Sequence, residues 1–152
     1  MRKIITILSF LIVFAFQAKA ESIDIFFIIT SIGSDYTFFF TDMSLGADLD
    51  VAITDNPSLS DYQIYLTDQY MPSALDVNIR NFSIGCKTIF FSNMSVGSTN
   101  IRISDSPSTA NVVIYFAPQP NANTLNLHIS GERINLQQAI AILYVIGLRN
   151  VR

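Results

Sequence analysis

A unit of thirteen residues recurs along most of this chain and limits its folding choices more than any other feature. Thr41, Thr54 and Thr67 stand one unit apart, as do Asp35, Asp48 and Asp61. Each unit reads apolar-x-apolar-x-apolar, then a hydroxyl residue, then Asp or Asn. Phe38 to Asp42, Val51 to Asp55, Ile64 to Asp68 and Ile101 to Asp105 all fit, and Ile89 to Asn93 fits with Asn. Weaker copies start at Phe27, Val77, Ile114 and Leu127, giving about nine units before Gly131. A longer echo lies over them: FTDMSLG returns as FSNMSVG, and ITDNPS as ISDSPS.

Within each unit apolar residues alternate with period two, the mark of a half-buried strand. Leu49, Val51 and Ile53 face one way, and Asp50, Ala52 and Thr54 face the other. The parity repeats in Leu75, Val77 and Ile79, and again in Leu125, Leu127 and Ile129. Gly, Pro, Asn, Asp and Ser fill the gaps, as turns require. The chain is therefore all-β. Identical loops fit an arrangement in which every loop bends the same way, so the repeat predicts a short two-sheet β-solenoid with roughly 26 residues per coil. The alternative is an antiparallel meander forming a sandwich or barrel.

The ends differ from the repeat. Residues 1–20 have a basic start at Arg2 and Lys3, an apolar run from Ile4 to Phe16, and the small-x-small site Ala18-Lys19-Ala20. That is the pattern of a secretory signal peptide, and it predicts an exported chain starting at Glu21, periplasmic or secreted, with no stable membrane anchor. Residues 21–131 form the β-repeat domain. In residues 132–152, Leu136, Ala139, Ile140 and Leu143 recur at helical spacing behind Asn135, a good cap. Ile142, Val145 and Ile146 make this helix apolar nearly all round, so it should be buried, covering the open end of the stack. A last strand, ILYVIGL, is the competing reading.

With ITD, SDY and FTDMSLGADLDV on the page, the chain resembles small exported bacterial repeat proteins of unknown function. Those carry Ala-Asp before each strand and a hydroxyl or acidic residue after it. Ala47-Asp48 keeps the pair, Ser34-Asp35 and Ser60-Asp61 come near it, and Ser73-Ala74 departs. The resemblance implies export and repeat architecture, and brings no activity.

Charge is lopsided. From Glu21 to Ile79 there are ten acidic residues and no Lys or Arg, whereas six basic residues and two acids follow. Such a split argues against nucleic acid, which needs a continuous basic face. It predicts one negative and one positive end, steering copies head to tail.

No catalytic constellation is visible. His128 is the single His and Cys86 the single Cys, so neither a base-nucleophile pair nor a structural zinc site assembles from sequence. Asp48 and Asp50 share a strand face and read as solvated carboxylates. Asp42, Asp55 and Asp68, with Asp105, follow the hydroxyl residues, where each can accept turn amides. Stacked into rows they would offer oxygen ligands to calcium. Phe39, Tyr65 and Tyr115 point outward by parity and are candidates for a glycan or protein partner. No cofactor is expected. The expectation is a non-enzymatic scaffold that binds an unidentified protein or its own copies, with a calcium- or polysaccharide-binding module as the alternative.

Overall fold

The computed structural model describes residues 22–147. The signal segment predicted over 1–20, and the basic residues Arg149 and Arg152, lie outside them. Nine strands follow one another: β1 (Ser22–Ile28), β2 (Tyr36–Thr41), β3 (Leu49–Ile53), β4 (Tyr62–Thr67), β5 (Leu75–Ile79), β6 (Lys87–Phe91), β7 (Thr99–Ser104), β8 (Val112–Phe116) and β9 (Thr124–Ser130). One helix, α1 (Leu136–Val145), closes the series.

Each of β1 to β4 pairs in parallel with the fourth and fifth strands after it, not the second, and β5 pairs with β9 as well as β1. The strands form one closed barrel in the order β1, β6, β2, β7, β3, β8, β4, β9, β5 and back to β1. The two-sheet solenoid is thereby overturned. The meander alternative had the closure but not the direction, because every pairing is parallel. The chain circles twice: β1 to β5 make the first circuit, leaving gaps that β6 to β9 fill. A solenoid would keep open edges at both ends, whereas closure gives every edge a partner. The expectation that all loops bend alike and all apolar faces meet one axis fits this barrel equally well, since both follow from one repeated unit.

Interleaving also corrects the charge reading. Strands of the acidic first circuit alternate with those of the second, so opposite charges meet along the wall. Arg102 on β7 reaches Asp50 on β3 at 2.7 Å, and His128 on β9 reaches Asp76 on β5 at 2.9 Å. Arg80, just past β5, holds Asp24 on β1 at 3.1 Å.

The inward residues are those the alternation predicts. Ile25, Phe38, Val51, Ile64, Val77, Ile89, Ile101, Ile114 and Leu127 are buried in one cluster, one from each strand. Around the ring the pairing register shifts by roughly two residues per strand, so the strands lean steeply and the barrel is wide. Its own side chains do not fill such a space. Helix α1 does: Ala139, Ile140, Ala141, Ile142 and Leu143 are all buried, and five consecutive residues cover the full circumference of a helix. Four of them belong to the same cluster as the strand residues, and the Tyr144 ring meets Phe38 edge-on. The helix is therefore enclosed as the centre of the core rather than laid over an open end. Asn135 starts it with a capping box, its side chain accepting from the Gln138 N–H while Gln138 Oε1 accepts from Asn135 N–H. Gly147, at φ 111°, follows its C-terminus.

Candidate functional site

The loop between two consecutive strands must pass the strand lying between them in the ring. The 29–35 loop passes β6, where Thr88 Oγ1 donates to the Gly33 carbonyl at 3.1 Å. The 42–48 loop passes β7, where Asn100 Nδ2 donates to the Gly46 carbonyl at 3.2 Å. Eight such loops gird the barrel from outside. This explains why Thr88 and Ala52, outward by parity, are nonetheless buried. Ala52, expected to face solvent, instead packs with Ala110 and Val113 in a small second cluster.

Asp35, Asp48 and Asp61 fasten the girdle. Each stands just before a strand and clasps one residue of the neighbouring strand twice. The Asp35 N–H donates to Thr88 O, and Thr88 N–H donates to the Asp35 carboxylate at 2.8 Å. Asp48 does the same with Asn100, and Asp61 with Val113. A short carboxylate ahead of the strand thus pairs an amide that would otherwise lack a partner. Bonding from Thr88 holds the Asp35 carboxyl below its ordinary range. Asp24 is lowered too, first by the Asn78 amide and then by Arg80.

The candidate ligands occupy different ground. Asp42, Asp55 and Asp68 are exposed, one on each of three loops. Those loops lie two strand positions apart, roughly 10 Å or more, so the carboxylates do not align into the rows a calcium ion would need. Nor do these aspartates close the turns. The preceding hydroxyls do, Thr41, Thr54 and Thr67 each accepting from the N–H two residues on at 3.0–3.1 Å. Among the described residues no group of three or more His, Cys, Asp or Glu is placed to hold a metal.

Tyr65 and Tyr115 lie on adjoining strands, β4 and β8, and Phe39 on β2 is well round the wall from them. Tyr65 and Asp68 share a polar cavity of about 890 Å³ at the mouth where strands β4 and β9 end, with Gln69, Glu132 and Arg133. Gly131 also lines it, at φ 101°, where an added Cβ would strike the Ile79 carbonyl. His128 faces outward as expected, but it is half-buried, its Nδ1 on Asp76 and its ring edge-on to Tyr70. Cys86 is half-buried, its thiol pushed up by burial and by the Asp24 carboxylate.

The chain matches no protein-family model, no curated protein and no solved structure. Its own geometry therefore carries the functional argument, and one feature of the girdle is unusual. Four loops contain the triplet Ser-apolar-Gly: Ser31-Ile32-Gly33, Ser44-Leu45-Gly46, Ser83-Ile84-Gly85 and Ser95-Val96-Gly97. In each the Ser carbonyl accepts from the N–H three residues on, and the Gly takes φ of 77–86°. That is the turn geometry glycine permits, and it places the apolar residue at the outer corner. Ile32 is 87% exposed, Leu45 92%, Ile84 86% and Val96 89%. Ile29, Met43, Phe82 and Met94 are exposed in the same loops.

These four loops are neighbours. They pass β1, β6, β2 and β7, which are consecutive in the ring. On the remaining wall the same corner is held by Pro57, Pro72, Pro107 and Ala122, in turns closed by the equivalent bonds. Large aliphatic corners are thus gathered on one side of the barrel. The sequence reading missed this row, although the triplet was visible in it.

Proposed function

We propose that the protein is a non-catalytic scaffold whose working surface is the row of Ile84, Ile32, Val96 and Leu45, docking onto a macromolecular partner or assembly outside the cytoplasm. The observation that carries this reading is the eight large apolar side chains left in water by four adjoining loops. Large apolar side chains gathered on adjoining loops in this way mark an interaction site. The export expected from residues 1–20 sets the compartment. In support, many of the acidic side chains are engaged in holding the wall: Asp35, Asp48 and Asp61 clasp strands, Asp24 and Asp50 pair with Arg80 and Arg102, and Asp76 bonds the His128 ring.

Head-to-tail growth through strand ends has no place in this reading, since a closed barrel has no free edge to offer. The test is fractionation of the exporting cells. The native protein should be retained with the envelope or in a fast-sedimenting assembly. The variant Ile32→Ser/Leu45→Ser/Ile84→Ser/Val96→Ser should be released while keeping its melting temperature within a few degrees. Retention of a folded quadruple variant would overturn the reading.

A further inference from the structure

The shape and charge of this surface narrow what it docks on. Resting on the reading above, we infer that the partner is a lipid surface of low charge, into which the corner residues of the four loops insert. The row follows the barrel wall past four of nine strands, so it is strongly convex. A rigid flat partner would meet only its two middle loops, and a second copy, equally convex, would meet less. Fluid lipid closes around such a shape: once the middle corners sink roughly 5–10 Å, the depth at which apolar groups rest in the headgroup–acyl boundary, the outer corners reach it as well.

The loops suit such an environment because each closes its turn with a backbone bond of its own. Backbone bonds close all four turns, from Ser34 to Ser31, Ala47 to Ser44, Cys86 to Ser83 and Ser98 to Ser95. Three serine hydroxyls turn back on their own loops: Ser34 Oγ donates to Ser31 O at 2.9 Å, and Ser92 and Ser98 Oγ both donate to Met94 O. A loop entering lipid with bonded backbone avoids the cost of unpaired polar groups. Charge points the same way. The chain is acidic overall, at −3, yet the inserted segments 29–34, 43–47, 81–86 and 92–98 contain no charged residue. Anionic headgroups would repel the body, while neutral ones would accept the row. No helix among the described residues is long and apolar enough to cross a membrane.

The experiment is flotation with phosphatidylcholine vesicles, using the chain from Glu21 onward, which contains the whole barrel and helix. The protein should float with vesicles equally at physiological and at 0.5 M salt, since no charge pairing is involved. Ile32→Ser/Val96→Ser, altering the two middle loops, should reduce the bound fraction at least tenfold with an unchanged melt. Leu59→Ser, on the opposite wall, should leave binding as it was. Failure to float, flotation undiminished in the double variant, or binding only to phosphatidylglycerol vesicles would each overturn the lipid assignment. Sedimentation without vesicles separates this from the broader reading. If the double variant abolishes a dimer, the row docks on a second copy and only the lipid assignment falls. If the row variants alter neither flotation, sedimentation nor cell fractionation, both fall.

Discussion

At the scale of single residues, the recurrent aspartates divide by position. Those before a strand bond the neighbouring strand; those after it point to water. Asp35 accepts from both the N–H and the hydroxyl of Thr88, a charge-assisted pair of bonds at the entrance to β2. Asp35→Ala should cost about 1–2 kcal/mol in urea unfolding, at the lower end of such bonds because the residue is exposed. The same position gives a pH signature. Bonding depresses the folded-state pKa of both Asp24 and Asp35 below 3.8, so their contribution is complete above that value. It is lost as pH falls through the lower, folded-state values. The stability gap between native protein and Asp35→Ala should therefore stay constant from neutral pH to about pH 4 and shrink below it. A gap that closes nearer neutral pH would mean that the carboxylate is not the source.

At the scale of elements, register is what the sequence made readable. Alternation placed Val51, Ile64 and Val77 inside, and all three are buried. Ile64→Ala should cost about 2–5 kcal/mol by leaving a cavity in the core, whereas the adjacent Gln63→Ala should stay within about half a kcal/mol. Urea melts of the two variants measure both. Pairing partners were not readable from alternation, because a strand two units away and a strand four units away offer the same apolar parity. The clue lay in the longer echo. Phe40 to Gly46 and Phe91 to Gly97 are nearly one sequence, and they occupy adjoining places on the ring, one circuit apart. The apolar row was hidden for a related reason. Ile29 and Ile32 follow β1 closely enough to look like its continuation, and only the glycine at φ 81° turns Ile32 outward. Helix α1 was legible as buried from its all-round apolarity; that it fills the barrel could not be read without the width that closure imposes.

At the scale of the whole molecule, the barrel and helix depend on each other. The wall is too wide to be filled from its own strands, and α1 is too apolar to stand in water. Ile142→Ala should therefore destabilise the entire protein by about 2–5 kcal/mol, while Gln137→Ala, on the exposed first turn, should be near neutral. Loss of the thermal transition at a single temperature, with the barrel melting separately from the helix, would contradict this dependence. The double winding has a further consequence, in time rather than in space. Apart from β1 with β5, no two strands of the first circuit are hydrogen-bonded to each other, so β2, β3 and β4 have no partners until β6 to β9 exist. Contacts at such separations are slow to form, because long loops must close before any pairing rewards them. During synthesis from the N-terminus, half the wall must wait open for the other half, and the segment that fills the centre comes last of all. The interval before completion is when such a chain is most exposed to mispairing, and a helper that holds the first circuit apart would act there.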